Sequence, residues 1–184
     1  YSAAQGFPAD DFRTILKDRK GNFWFGSRSG GLVKFRDGKI LKLYGQKNGL
    51  ESNYVMAVTE ASNGDIYVGT HSGGMSIISP DGSIRTYHLR EDDAGILLFN
   101  IDEDKQGRIW VMANTGPAFF DGDSLKSITL QQDSKGKTYF DWIDDERGSI
   151  WITTSIGVIQ INKSTLVEYI SQKKTDVPFL LVDD

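Results

Sequence analysis

The chain has 184 residues, of which 39% are hydrophobic and 25% charged, a balance typical of a single folded domain. Its net charge is −4 and its 21 Lys and Arg residues are scattered, so nothing resembles the basic patch that nucleic acids require. The lack of cysteine excludes a disulfide scaffold and thiol catalysis, and no apolar run approaches the roughly 20 residues of a membrane helix.

A pattern of glycines and aromatic residues occurs four times along the chain. Its first member, the anchor glycine, is Gly21, Gly64, Gly107 and Gly148 in turn, at separations of 43, 43 and 41 residues. An aromatic residue follows three positions later (Trp24, Tyr67, Trp110, Trp151) and a second glycine nine positions later (Gly30, Gly73, Gly116, Gly157). A period near 40 residues made of short apolar runs is typical of a β-propeller, in which each repeat forms a four-stranded blade.

Each repeat is predicted to form strands A to D in chain order. Strand A covers residues 12–16, 55–59, 98–102 and 139–143 in the four copies. Strand B is an apolar triplet, and its lack of alternation indicates that both faces of the sheet are covered, as in stacked blades. The aromatic residues Trp24, Tyr67, Trp110 and Trp151 lie inside strand B, so they are predicted to be mostly buried between blades rather than to stack on a sugar. In three copies an Asp-Gly turn, the strongest short hairpin signal, joins strand C to strand D, whereas the fourth copy has Asn162-Lys163. Strand D is predicted to end at Tyr44, Tyr87, Ile128 and Tyr169 in the four copies.

The predicted blades are residues 7–45, 50–88, 95–129 and 138–170. No helix is predicted, because no segment keeps apolar residues at spacings of three and four over a dozen positions. Residues 178–184 are similar to the strand A of a further blade. We therefore expect an all-β arc of about four antiparallel blades from a larger, seven-bladed type of propeller. Each end of such an arc has an uncovered apolar face, which predicts association with the rest of the propeller or self-association.

Several segments carry a family resemblance: Gly49-Leu-Glu-Ser-Asn-Tyr-Val, Asn63-Gly-Asp-Ile-Tyr-Val-Gly-Thr and Asp104-Lys-Gln-Gly-Arg-Ile-Trp. They resemble the two-component-regulator propeller repeat, although the third copy has Met112 and Pro117 where the first two have glycine. Such repeats are typical of the extracytoplasmic sensor regions of bacterial hybrid two-component histidine kinases, common in Bacteroidetes, which report glycan breakdown products. The resemblance implies a periplasmic, non-enzymatic sensor segment with an oligosaccharide ligand, and a kinase elsewhere in a parent chain.

The tips of the B–C turns are the first candidate ligand site. The residue seven positions after the anchor glycine is constant in place and varied in chemistry, as expected of a binding rim: Arg28, His71, Asn114 and Ser155. In a propeller the D–A loops open on the same face, and they add Asn53, Tyr54, Asp93, Lys137 and Tyr139. Solvated turns are the alternative, because loops are polar wherever they lie.

Two carboxylate clusters, residues 102–104 and 144–146, are predicted to be solvated turns. A calcium loop would spread its oxygen ligands over about twelve residues. The Asp-x-x-Gly-x-x-Trp run is similar to the Asp-box of sialidases but lacks a group of three arginines. His71 and His88 have no recognisable catalytic partner in the sequence, and no cofactor or metal is predicted. A propeller lyase or glycosidase, and a protein-binding scaffold, remain the alternative functions.

Overall fold

The computed structural model describes residues 2–72, 74–90, 95–130, 137–172 and 176–182. Blade 1 consists of β1 (Phe12–Lys17), β2 (Phe23–Ser27), β3 (Leu32–Arg36) and β4 (Lys39–Tyr44). Blade 2 consists of β5 (Val55–Glu60), β6 (Ile66–Thr70), β7 (Gly74–Ile78) and β8 (Ile84–His88). Blade 3 consists of β9 (Leu98–Glu103), β10 (Ile109–Ala113), β11 (Gly116–Phe120) and β12 (Leu125–Ser127).

The last part of the chain begins with β13 (Thr129–Leu130), which pairs in parallel with β17 (Asp176–Val177). Blade 4 consists of β14 (Tyr139–Asp144), β15 (Ser149–Thr154), β16 (Gly157–Asn162) and β18 (Leu180–Val182). Helix α1 (Lys163–Ser171) lies between β16 and β17, and two 3-10 helices, Ala3–Gln5 and Gln46–Asn48, precede blades 1 and 2. Four antiparallel four-stranded sheets confirm the predicted all-β propeller fold.

Short turns join the strands of each blade where the sequence places glycine. Asp37 and Gly38 have φ angles of 49° and 79°, so the predicted Asp-Gly hairpin forms between β3 and β4. Gly26 serves a different purpose, because a Cβ there would lie 2.6 Å from the side chain of Val55. Glycine therefore lets strand A of blade 2 approach strand B of blade 1 closely.

The aromatic residues after the anchor glycines pack between blades, as predicted, in three of the four copies. Trp24, Tyr67 and Trp110 are 2%, 5% and 3% exposed, and each belongs to a cluster that includes strand B residues of the next blade. Trp151 is half-buried and so less completely covered than the other three aromatic residues. It lies on the face of blade 4 that points away from blade 3.

The prediction of a strand D ending at Tyr169 in blade 4 is wrong, and α1 occupies that part of the chain. The Asn162 side chain accepts hydrogen bonds from the backbone N–H groups of Ser164 and Thr165, which caps a helix where the other blades have Asp-Gly. The free edge of β16 then pairs with β18. Residues 180–182 therefore complete blade 4, which corrects both the 138–170 boundary and the fifth-blade prediction for 178–184.

Some predicted positions lie outside the described residues: Tyr1, Gly73, Asp93 and residues 183–184. Within the part of the chain that is described, no helix has the length and apolarity needed to cross a membrane.

Candidate functional site

The B–C turns and the D–A loops facing them form one surface, called here the rim. In every blade the backbone N–H of the turn-tip residue donates a hydrogen bond to a carbonyl just before strand A. The bonds run from Arg28 to Asp11 (3.1 Å), His71 to Tyr54 (3.1 Å), Asn114 to Leu97 (3.0 Å) and Ser155 to Thr138 (2.8 Å). The four predicted tip residues therefore occupy equivalent places beside the starts of the innermost strands.

Three rim residues from two blades form a continuous row. The rings of Tyr54 and His71 stack with centroids 4.8 Å apart and an angle of 13° between their planes. The guanidinium of Arg28 lies 5.9 Å from the centre of the Tyr54 ring, a cation–π contact. Arg28 and His71 are exposed and Tyr54 is half-buried. The row offers a permanent cation, an aromatic surface and an imidazole on one side of blades 1 and 2.

Three other candidates hold the rim loops in place. Asn53 accepts a hydrogen bond from the backbone N–H of Gln46 at 2.9 Å through its side chain. The Asn114 side chain accepts from the N–H of Leu97 and donates to the carbonyl of Gly95. The Ser155 hydroxyl accepts from the N–H of Thr138 at 3.1 Å. Their polar groups are engaged in shaping the rim loops of their own blades.

Tyr139 is not at the surface, which corrects its assignment as a rim residue. It is 1% exposed and belongs to the cluster between blades 3 and 4 with Met112 and Ile152. As the first residue of β14, paired with Thr154, it corresponds to Val55, which is paired with Thr70 in blade 2. This position points toward the preceding blade. Lys137 is half-buried, with its ammonium group 5.7 Å from the centre of the Tyr139 ring.

A hydrogen-bonded pair of polar residues lies next to the row, and sequence reasoning missed it. The Ser29 hydroxyl donates to a carboxylate oxygen of Asp11 at 3.1 Å, directly beside the Arg28 turn. Both residues are exposed. The only signal in the sequence is their position, since Ser29 follows the turn tip and Asp11 precedes strand A.

The carboxylate clusters at the opposite turns take part in the structure rather than forming a metal site. Asp104 accepts hydrogen bonds from the indole N–H of Trp110 at 3.0 Å and from Arg108, while Asp144 pairs with Lys163. Glu103 accepts from both the backbone and the hydroxyl of Ser62. Among the residues described, no group of three or more His, Cys, Asp or Glu side chains is arranged to hold a metal ion.

The same turn in blade 1 holds a buried carboxylate, Asp18, which is 7% exposed. Burial disfavours its charged form, but hydrogen bonds from the Asn22 side chain, the Trp24 indole and the Asn22 backbone N–H outweigh this penalty and lower its pKa. The pKa of Asp104 is lowered in the same way, because hydrogen bonds from Trp110 and Arg108 overcome its desolvation. Both aspartates are therefore anchors for the blade aromatics.

The histidines occupy separate environments at the rim end of the blades. His71 stacks on Tyr54, and His88 at the end of β8 lies 3.6 Å from a carboxylate oxygen of Glu51. Glu51 and His88 are both partly accessible to solvent.

Part of the chain is similar to a known protein family. The family described as "Two component regulator propeller" matches residues 6–29 and 49–72, which run from the loop before strand A to the rim turn in blades 1 and 2. These two segments are similar to two-component regulator propeller repeats, which confirms the resemblance. No curated protein matches the chain.

Solved structures of other proteins share the fold. The extracellular domain of a hybrid two-component system from B. thetaiotaomicron superposes with a TM-score of 0.67 and 21% identity, over 94% of this chain and 23% of that one. The extracellular domain of a one-component system from the same organism gives 0.74 and 17%, over 95% of this chain and 24% of that one. A catalytically inactive virginiamycin B lyase from Staphylococcus aureus, solved with quinupristin, gives 0.70 and 18%, over 94% and 56%. The chain thus spans about a quarter of the two extracellular domains.

Proposed function

We propose that this chain, whose first two blades carry two-component regulator propeller repeats, is part of the extracytoplasmic sensor region of a two-component signalling protein. The repeat match and the shared fold with extracellular domains of such systems support this proposal. In it, the chain contributes blades and a ligand-binding rim, and the rest of a longer protein contributes the remaining blades and a kinase output.

We further propose that the rim binds an oligosaccharide through Arg28, Tyr54 and His71. The observation that carries this proposal is the row itself, because these side chains from separate repeats meet on one exposed surface. Aromatic rings pack against the C–H faces of sugars, and the fixed donors of a guanidinium suit neighbouring hydroxyls or a carboxylate. Recognition would then need no metal and no covalent step.

The competing function is that of a propeller lyase, which the shared fold with virginiamycin B lyase brings into consideration. Fold alone does not decide between a sensor and an enzyme on the same scaffold. In the proposed sensor, the His71 ring serves as a stacking surface against Tyr54, whereas catalysis would require a base beside a reacting atom.

The test is to incubate the chain with a panel of neutral and acidic oligosaccharides and to follow binding by calorimetry and products by chromatography. The proposal predicts saturable binding of at least one oligosaccharide with no product. Release of a shortened or unsaturated product would show an enzyme, and neither binding nor product would favour a protein-binding scaffold.

Variants then locate the site. Arg28→Ala should weaken binding about tenfold or more, since a hydrogen bond to a charged group contributes about 1.5–3 kcal/mol. His71→Ala should weaken binding about fivefold, because Tyr54 loses the ring that stacks against it. Arg36→Ala is the matched control, because Arg36 is a half-exposed arginine at the β3–β4 turn on the opposite side of blade 1. Equal binding by all three variants would reject the rim as the binding site. Saturable binding without product in the first experiment would then indicate a sensor whose binding site lies elsewhere on the chain.

A further inference from the structure

Blade 1 carries two lysines at a place where each of the other blades carries at most one cation. Lys34 pairs with Lys42 across the β3–β4 ladder and with Trp24 across the β2–β3 ladder, so all three side chains point toward blade 2. The equivalent pairs are Ile77 with Arg85 in blade 2, Phe119 with Lys126 in blade 3 and Gln160 with Leu180 in blade 4. Like charges directly opposite each other in a ladder are destabilising. The lysine pair is therefore a local charge conflict between blades 1 and 2.

The equivalent cations of blades 2 and 3 have carboxylate partners, whereas the lysines of blade 1 do not. The partnered pairs are Arg85 with Asp65 and Lys126 with Asp121, each at 3.9 Å. Within the described residues, neither Lys34 nor Lys42 forms an ion pair. The Lys34 ammonium lies 4.9 Å from the centre of the Trp24 ring, and the Lys42 ammonium lies 4.7 Å from that of Tyr44. These rings hold the two charges in place but do not neutralise them.

A cavity of about 60 Å³ lies beside the lysine pair, between blades 1 and 2 at the end opposite the rim. Its wall includes Lys20, Lys34 and Tyr44 from blade 1 and Ser79 and Gly82 from blade 2. Lys42 reaches its edge, because a Cβ on Gly82 would lie 3.3 Å from the Lys42 ammonium. One water needs about 10–15 Å³ of such space, so the cavity has room for about five heavy atoms. That is the size of one small anion.

The hydroxyl of Tyr44 adds a donor to this cavity. Tyr44 is 4% exposed, and its hydroxyl has no hydrogen-bond partner among the described residues. No fully buried side-chain N or O atom in that part of the chain lacks a partner, so the Tyr44 oxygen reaches the cavity that the residue lines. Burial raises the pKa of Tyr44, which keeps the hydroxyl protonated and able to donate. Ser79, a half-buried residue of the wall, supplies a second hydroxyl.

Two acidic residues also line the cavity, but both are already engaged. Asp18 accepts hydrogen bonds from the Asn22 backbone, the Asn22 side chain and the Trp24 indole. Glu60 accepts from the backbone N–H of Arg19 at 2.7 Å, and the Arg19 guanidinium lies 3.3 Å from the same oxygen. The other polar side chains of the wall are lysines and hydroxyls, all of which can donate. The cavity therefore has an excess of donors and of positive charge.

We propose that this cavity binds a small oxyanion, either inorganic phosphate or sulfate or the same group carried by a larger ligand. Lys34 and Lys42 supply the charge, since ammonium groups bind phosphate as point charges, and Tyr44 supplies a neutral hydrogen bond. The bound anion relieves the repulsion within the lysine pair and contacts both blades. The site lies at the opposite end of the blades from the rim, so it does not rest on the proposed oligosaccharide site.

Calorimetric titration with inorganic phosphate, at an ionic strength held constant with chloride, tests this proposal. The wild-type chain should bind phosphate saturably. Lys34→Met and Lys42→Met should each weaken binding about tenfold or more, because each removes a hydrogen bond from a charged group. Tyr44→Phe, which removes one oxygen atom, should weaken binding about fivefold.

Lys126→Met is the matched control, because Lys126 is the equivalent of Lys42 in blade 3 and has Asp121 as its partner. This variant should bind phosphate as the wild type does. A wild-type chain that shows no saturable binding of phosphate or sulfate would overturn the proposal. A loss of binding in Lys126→Met as large as that in Lys42→Met would also overturn it.

Urea unfolding distinguishes an anion site from a packing defect. Without phosphate, Lys34→Met should raise the unfolding midpoint, because it removes the like-charge pair and places an apolar side chain where blade 2 has Ile77. A lower midpoint would contradict the charge conflict. Added phosphate should raise the midpoint of the wild type more than that of Lys34→Met. Equal increases would reflect the general stabilising effect of phosphate on folded proteins and would overturn the site.

The source of the anion follows from a titration with glucose 6-phosphate. Binding at least as tight as that of inorganic phosphate would support a group carried by a larger ligand, since the cavity would then admit the attached sugar. Weaker binding would support the free anion. Both results require that Lys34→Met weakens the binding that is observed, and an unchanged affinity in that variant would overturn the site.

Discussion

At the scale of single residues, one aspartate anchors the blade aromatic in three of the four repeats. The indole N–H groups of Trp24, Trp110 and Trp151 donate to Asp18, Asp104 and Asp145 at 2.9, 3.0 and 3.1 Å. Blade 2 has Ala61 at the equivalent position and a tyrosine in place of tryptophan. The sequence shows the recurring Asp-x-x-Gly-x-x-Trp spacing, but polarity alone predicts a solvated turn. A hydrogen bond between side chains six residues apart depends on the tight turn that brings them together.

Replacing Asp18 with alanine should lower the free energy of unfolding by about 2–4 kcal/mol. The change leaves the Trp24 indole and the Asn22 N–H groups buried without their acceptor, and each such group costs about 1–3 kcal/mol. Urea unfolding measures the loss. Asp123→Ala, at an exposed turn, should change stability by less than about 0.5 kcal/mol, and equal losses in the two variants would contradict the anchoring role.

The lowered pKa of Asp18 also predicts how stability depends on pH. Because its pKa in the folded chain lies below the ordinary value of 3.8, its stabilisation is fully present above that value. It is lost as the pH falls through the lower, folded value. Unfolding midpoints at pH 6 and pH 3 should therefore differ less for Asp18→Asn than for the wild type. The same pH dependence in both proteins would show that the Asp18 charge is not involved.

Trp110 and Trp151 form a natural matched pair, because both donate to an aspartate but only Trp110 is covered by a following blade. Trp110→Ala should cost about 3–5 kcal/mol, as large-to-small changes in cores do. Trp151→Ala should cost clearly less, because its side chain is already partly exposed to solvent. Similar costs would mean that the two side chains are equally buried in solution.

At the scale of elements, the innermost three strands of each blade could be predicted and the fourth strand of blade 4 could not. Glycine and apolar triplets recur in fixed register, so they mark strands A to C in every copy. Residues 163–171 are rich in β-branched and aromatic side chains, which favours a strand. The missed signal was Asn162 as a cap together with Leu166, Tyr169 and Ile170 at helical spacing, all three packed into the cluster between blades 3 and 4. Nine residues are too few for that spacing to stand out.

The helix cap can be tested directly. Asn162→Ala should lower stability by about 1 kcal/mol, because the N–H groups of Ser164 and Thr165 lose their acceptor. Glu168→Ala, on the exposed side of the same helix, should cost less than about 0.5 kcal/mol. Urea unfolding compares the two, and a Glu168 effect as large as the Asn162 effect would contradict the capping role.

At the scale of the whole molecule, the phase of the repeat predicts stacked blades and a common rim, but not which rim side chains reach solvent. Tyr54 and Tyr139 illustrate the limit. Tyr54 precedes the first residue of strand A and stacks on His71 at the surface, whereas Tyr139 is that first residue and points into the core. A shift of one residue in a strand reverses the direction of a side chain, and a variable loop before strand A hides this shift in the sequence. The meeting of Arg28, Tyr54 and His71 likewise depends on the spacing between two blades.

The most direct test of the proposed sensor rim is a titration of the isotope-labelled chain with an oligosaccharide from the panel, followed by amide chemical shifts. A ligand-binding sensor rim predicts shift changes concentrated at Arg28, Tyr54 and His71 on blades 1 and 2, with the oligosaccharide recovered unchanged. The amides of the opposite A–B turns, such as Lys20 and Asn63, should stay in place. Changes centred on those turns, or the appearance of product signals during the titration, would contradict a sensor rim at these three residues.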